Sequence, residues 1–247
     1  MEPRYLIPLS EQGDGPPTFI VPSAGSTFFS FVTLARTLQA PGPVYSFSLT
    51  ELEVSDSSNT TLEEIAESLL EDLRAVRPHG PYHLGGHCWG GVVALQMASR
   101  LEAQGEEVAD IFLLESFVPV VAGAASSERS STISDYADTM NAILDQTLED
   151  ARAKLSRMPK QHADRLIELT AKQIETGNVY QPATVRAPIC LFRTETHGDL
   201  AFLGWESLSS SEFSQRFVPG DTHSMLEKPH VSTLCTEMED FLGQSRG

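Results

Sequence analysis

The sequence predicts an α/β fold: a mainly parallel central sheet flanked by helices, with a helical insertion acting as a lid. Three observations carry that prediction. Strand-like apolar runs alternate with stretches of helical periodicity along most of the chain, the arrangement that parallel strands joined by crossover helices require. The run Gly86-His87-Cys88-Trp89-Gly90 joins a short strand to an almost wholly apolar helix, as expected for a helix packed on the centre of a sheet. At 247 residues the chain is long enough for one sizeable core, and α/β folds of this length commonly form one domain. Residues 1–247 are therefore read as a single domain with a lid over about 120–182.

The elements follow in order. Thr18 to Val21 reads as an early strand, followed by the turn Pro22-Ser23-Ala24-Gly25-Ser26 and a helix from about Phe28 to Leu38. Val44 to Leu49 reads as the next strand. Thr61-Leu62-Glu63-Glu64 has the form of a capping box, in which hydroxyl and carboxylate each accept from the other's backbone N–H. Behind it Leu62, Ile65, Ala66, Leu69, Leu70, Leu73 and Val76 recur at helical spacing until Pro78 stops them. Pro81 to Leu84 reads as the strand entering the glycine-flanked turn, and Gly91 to Arg100 as the helix leaving it. Ile111 to Leu114 is a continuous apolar strand ending at Glu115-Ser116, and further strands are expected at Ile189 to Arg193 and Gln215 to Val218.

Between Val118 and Pro182 the alternation is interrupted. A Ser/Ala/Gly-rich joint from Ala122 to Ser134 leads into two helical stretches, one with an apolar face of Tyr136, Met140, Ile143, Leu144 and Leu148, the other with Leu166, Ile167, Leu169 and Ile174. Two ordinary covering helices would have the same pattern, but a position next to the catalytic candidates favours a substrate cover.

The formal net charge of -17, from 34 acidic and 17 basic residues, argues against nucleic acid or an anionic membrane as partner. Met1-Glu2-Pro3-Arg4-Tyr5 has no basic segment leading into an apolar core, and no stretch approaches the roughly 20 apolar residues that span a bilayer. A cytoplasmic protein is expected. The three cysteines, Cys88, Cys190 and Cys235, show neither metal-ligand spacing nor a pairing pattern, so no metal is expected. Cys190 and Cys235 fall in apolar elements and are read as structural.

Cys88 stands where hydrolases normally carry serine, at the centre of a nucleophile elbow. There the nucleophile sits on a strained strand-to-helix turn, and glycines two positions either side relieve collisions with neighbouring backbone. A cysteine nucleophile needs a base, a group that orients the base, and donors for the developing oxyanion. Trp89 supplies the backbone N–H immediately after the nucleophile, at a helix start whose dipole favours thiolate. The second donor should come from the loop after the early strand, and Ala24 is the candidate.

On these residues the chain resembles the α/β-hydrolase thioesterase domains that release products from nonribosomal peptide and polyketide assembly lines. The resemblance runs through Pro17 to Ala35, then Arg74-Ala75-Val76-Arg77-Pro78, Gly80-Pro81-Tyr82-His83-Leu84, the elbow, Leu101-Glu102-Ala103-Gln104-Gly105 and Leu113-Leu114-Glu115-Ser116. It ends in Gly220-Asp221-Thr222-His223-Ser224-Met225-Leu226, which resembles the family's histidine loop. The resemblance implies Glu115 as the acid, where relatives usually carry Asp, with Asp199 of the Thr196-His197-Gly198-Asp199 loop as the rival. It implies His223 as the base, although the family pattern read without gaps places the histidine at position 222, here Thr222. Pro22 and Ser26 also replace the family's usual His and Gly in the first loop.

The implied reaction is transfer of an acyl chain from the phosphopantetheine thioester of an acyl or peptidyl carrier protein to Cys88. Release by water or by a group of the same chain follows, and no cofactor is bound directly. An acyl group held as a thioester is more reactive toward internal amines than an oxoester, which favours cyclising release over hydrolysis. A stand-alone editing thioesterase, or a fold that binds acyl chains or carrier proteins without catalysis, are the alternatives. Arg152, Lys154, Arg157 and Lys160 are the basic residues that would meet an acidic carrier protein.

Overall fold

The computed structural model describes residues 3–49, 61–117, 142–143, 145–149, 152–153, 155–202 and 204–244. The expected joint from Ala122 to Ser134, the apolar positions Tyr136, Met140 and Leu144, and Lys154 lie outside these residues. The strands are β1 (Leu6–Ser10), β2 (Thr18–Val21), β3 (Val44–Phe47), β4 (Tyr82–His87), β5 (Val108–Leu114), β6 (Ile189–Arg193) and β7 (Phe213–Phe217). They form one seven-stranded sheet in the order β1-β3-β2-β4-β5-β6-β7. Only β1 is antiparallel to its neighbour. The α-helices are α1 (Val32–Thr37), α2 (Leu62–Val76), α3 (Trp89–Ala103), α4 (Lys160–Val179) and α5 (Val231–Gln244).

Because side chains alternate across a strand, each strand feeds both cores. Phe19, Leu84, Leu113 and Leu191 face one way and pack with α2 and α3. Ile20, Phe112, Leu114 and Phe192 face the other and pack with α1 and α5. Strands β4 to β6 are buried throughout or nearly so, which explains why they read as short apolar runs. The α2 capping box forms as its sequence requires. The Thr61 side chain accepts from the Glu64 N–H at 3.2 Å, and the Thr61 N–H donates to Glu64 Oε2 at 2.9 Å.

Two local expectations change. The stretch from Phe28 begins as a 3-10 turn at Phe28–Phe31 and becomes α-helix only at Val32. Three of its first four residues are phenylalanines, which lose side-chain freedom in an α-helix, and its first residue follows Thr27, whose side chain makes no capping hydrogen bond. Strand β1 was not evident in the sequence because Pro8 interrupts it. At a sheet edge, however, the N–H that proline lacks faces no partner, and the ladder to β3 shifts register between Pro8 and Ser10.

Asp72 on α2 holds this edge in place. Its Oδ1 accepts from the Arg4 N–H at 2.9 Å, and its Oδ2 accepts from the N–H groups of Leu6, at 3.0 Å, and of Tyr5. Strands β2, β4, β5, β6 and β7 run parallel, so their C-terminal ends meet along one edge of the sheet, where α/β proteins form their clefts. Replacing Asp72 with Ala strands three backbone donors at the start of β1. The expected cost is about 2–3 kcal/mol, read as a lower urea midpoint with little change in the slope of the transition.

Candidate active site

The site is built around the turn between β4 and α3. Cys88 has φ 50° and ψ -120°, a conformation a non-glycine residue adopts only under constraint. The constraint is packing on both sides of the turn. A Cβ on Gly86 would collide with the backbone of Gly90, and a Cβ on Gly90 would collide with the carbonyl oxygens of Val21 and Pro22. The two glycines therefore let the start of α3 settle directly on the end of β2. The Cys88 N–H donates to the Leu114 carbonyl at 2.8 Å, tying the turn to β5 as well.

A cavity of about 590 Å³ opens over this turn, lined by Ala24, Cys88, Trp89, His197, Thr222 and His223 among others. Its apolar wall includes Val92, Phe117, Ile143, Ile174 and Leu226. Trp89 opens α3, so its backbone N–H has no acceptor within the helix. The Ala24 N–H carries no hydrogen bond among the described residues. The loop bearing Ala24 is held by α4, where Gln173 Oε1 accepts from the Gly25 N–H at 2.9 Å. The Trp89 indole donates to Thr176 Oγ1 at 3.3 Å, so α4 braces both donor segments.

Burial pushes the Cys88 thiol up to about 11, a hydrogen bond from the Trp89 backbone pulls it back, and the charge of Glu115 adds to the rise. The helix start is therefore too weak to make a thiolate at neutral pH, and the thiol needs a base.

Glu115 follows β5 with φ 47° and is fully buried. Its carboxylate accepts from the Thr194 N–H and, at 3.4 Å, from the Thr222 hydroxyl. It also lies 4.0 Å from His197 Nε2. Burial raises its pKa, opposed by the hydrogen bonds from Thr194, the Arg193 charge and the Thr222 hydroxyl. His197 Nε2 lies 3.1 Å from Thr222 Oγ1. Since that hydroxyl donates to Glu115, the His197 Nε2–H donates to it.

His223 lines the same cavity, but it is not among the partners of the Glu115 carboxylate. Its N–H donates to Asp221 Oδ1 at 2.9 Å, and its ring centroid stands 6.5 Å from that of His87. The structure thus brings Cys88, Ala24, Trp89 and His223 to one cavity and sets Glu115 beneath it, facing Thr222 and His197. His197 is not among the site residues expected from the sequence, yet it lines the cavity next to Thr222 and Glu115. The available signal was Thr222 at the family's histidine position together with a histidine in the loop after β6.

The rival acid, Asp199, is exposed and accepts from Arg193 Nη1 at 2.9 Å. Of the basic residues proposed to meet a carrier protein, Lys160 is paired with Asp164 at 2.6 Å. No group of metal-ligating side chains occurs among the described residues, and none of their helices is long and apolar enough to cross a membrane.

The thioesterase-domain family model matches residues 16–242. Atromentin synthetase invA2 of Paxillus involutus is 25% identical over 260 residues, covering 92% of this chain and 27% of that protein. Vanchrobactin synthetase VabF of Vibrio anguillarum is 36% identical over 107 residues, or 43% of this chain and 4% of that one. The chain therefore spans only a small part of these relatives. Among solved structures, the Vlm2 thioesterase domain bound with a dodecadepsipeptide superposes with a TM-score of 0.71 at 24% identity, covering 95% of this chain and 96% of that one. The NocB thioesterase domain in covalent complex with a fluorophosphonate nocardicin G analogue gives 0.71 at 23% identity, covering 97% and 100%. With the α/β-hydrolase sheet, the elbow and a family match over nearly its whole length, the chain belongs to the thioesterase-domain family.

Proposed function

We propose that this chain releases an acyl or peptidyl chain from the phosphopantetheine thioester of a carrier protein through an acyl-enzyme on Cys88. The observation that carries the reading is the thiol itself, set at the strained apex of the elbow and facing a cavity that Ala24 and Trp89 also line. The relatives named as synthetases support a carrier-protein partner, and the partly apolar wall of the cavity suits an acyl chain.

In the first half-reaction the Cys88 sulfur attacks the carbonyl carbon, with the two N–H groups taking up the charge on its oxygen. The bond to the pantetheine sulfur then breaks, and that thiol leaves with the proton removed from Cys88. A histidine of the cavity, His223 or His197, is the base, and Glu115 compensates the imidazolium. In the second half-reaction an amine or hydroxyl of the same chain, or water, attacks the Cys88 thioester. An enzyme-bound thioester drives amide formation further than an oxoester does, so cyclising release is the outcome we favour.

The test is intact mass spectrometry after mixing with acyl-thioester surrogates, with analysis of the released product. An adduct on the parent protein that turns over, and that disappears in Cys88→Ala, is expected; full turnover by Cys88→Ala overturns the reading. Cyclic and linear products separate cyclase from hydrolase.

Alkylation of Cys88 by iodoacetamide checks its electrostatics. Only thiolate reacts, and a thiol at about 11 is deprotonated in roughly one molecule in 10⁴ at pH 7. The rate should therefore climb about tenfold per pH unit from pH 7 to 10, without the neutral-pH plateau of a preformed thiolate.

A further inference from the structure

We propose that His197, on the loop after β6, is the base that takes the proton from Cys88, with Thr222 as the positioning residue that links it to Glu115. This rests on Cys88 being the nucleophile that carries the acyl group. A triad base needs three things: a carboxylate partner, a fixed ring and an unprotonated nitrogen on the cavity side.

The carboxylate comes first. Of the histidines lining the cavity, only His197 approaches Glu115, at 4.0 Å from Nε2 to Oε2. Thr222, at the position where the family pattern carries histidine, is too short to replace an imidazole and has no basic atom. Its hydroxyl instead donates to Glu115 and accepts from His197 Nε2, which stands where a hydrogen-bonded chain reaches outward from the acid. His87 is committed elsewhere, because its Nε2 lies 2.7 Å from the Thr222 carbonyl.

The ring is also fixed. Phe117 meets it edge-on at 5.5 Å between centroids. The His197 carbonyl accepts from Arg193 Nη2 at 2.8 Å, and Arg193 is itself anchored by Asp199 and by stacking over Phe202 at 4.3 Å. Glu115 and Arg193 bear on the ring directly, and the other charged and titratable side chains lining the same cavity are His87, Cys88, Asp221, His223 and Glu227.

The tautomer completes the argument. With Nε2–H donating to Thr222, the lone pair belongs to Nδ1, which carries no hydrogen bond among the described residues, on a histidine that lines the same cavity as Cys88. In acylation the Cys88 S–H bond breaks and an Nδ1–H bond forms, giving an imidazolium that faces Glu115 through Thr222. The sulfur bonds to the carbonyl carbon, the carbon–sulfur bond to pantetheine breaks, and Nδ1–H returns its proton to the departing sulfur. In deacylation Nδ1 takes the proton of the attacking O–H or N–H group, and the Cys88 sulfur leaves and recovers it. The ring therefore works in the opposite orientation to a triad in which Nδ1 meets the acid.

The experiment is rapid-quench acylation of the parent, His197→Gln, His197→Asn, His223→Gln and the double variant His197→Gln/Thr222→His by an acyl N-acetylcysteamine thioester. The extent of Cys88 labelling is followed against pH, and folding is checked by circular dichroism. Both His197 variants should acylate roughly 10²–10⁴-fold more slowly at pH 7 and lose the acidic limb of the parent profile. Returning a histidine to position 222 should recover at least about tenfold of that loss, which a variant that had merely misfolded would not show. Acylation of His197→Gln within about threefold of the parent, or loss of the acidic limb in His223→Gln alone, overturns the assignment of the base. A parent that never gains an acyl group on Cys88 overturns the nucleophile reading instead.

Discussion

The close approach of α3 to the end of β2 is the contact on which the site depends. With no side chain on Gly90, the helix start settles against the Val21 and Pro22 carbonyls, and with none on Gly86 the entering strand passes beneath it. Cys88 is then forced to positive φ, at a cost of about 1–3 kcal/mol that the surrounding packing must bear. That packing is ample: α3 is buried along almost all of its length between the sheet and α2. The same approach brings the Ala24 loop to the cavity that Trp89 lines, so one steric condition gathers the proposed nucleophile and the proposed oxyanion donors.

Electrostatics at the turn work against the thiolate. Burial and the Glu115 charge both oppose it, and one backbone hydrogen bond does not offset them. Burial together with the Arg193 charge likewise lowers the basicity of His197. Shifts in these directions favour a neutral thiol and a neutral imidazole, so in the proposed mechanism charge separates as the sulfur attacks. This resembles the economy of a serine enzyme more than that of a thiolate–imidazolium pair. It also spares the thiol from oxidation between turnovers, since thiolate is the form oxidants attack.

What the sequence reveals divides along the range of the interactions involved. The capping box at Thr61, the apolar stripe of α2 and the glycine spacing of the elbow are rules that act within a few residues, and each appears in the structure as read. Strand β1 was hidden because its support comes from Asp72, far along the chain, while its own Pro8 argues against a strand. The acid side of the site was half legible. Glu115 could be placed from the end of an apolar strand, but its partners Thr194, His197 and Thr222 arrive from two later strands, and no local pattern announces their meeting. Nor does a hydroxyl in place of an imidazole show, in sequence alone, where an imidazole would be regained.

Helix α4 is fastened to the catalytic face by polar contacts. Gln173 holds the Gly25 N–H beside Ala24, and Thr176 holds the Trp89 indole. If α4 serves as the proposed cover, a movement that admits a substrate would also release the loop that carries the proposed Ala24 donor. Access and competence would thereby be linked in the proposed reaction: an acyl chain in the cavity beneath a seated α4 would meet an ordered donor pair, whereas water entering beneath a lifted one would not. On the proposed mechanism, premature hydrolysis of the acyl-enzyme would then be disfavoured by the loss of the donor pair itself, in addition to any exclusion of solvent.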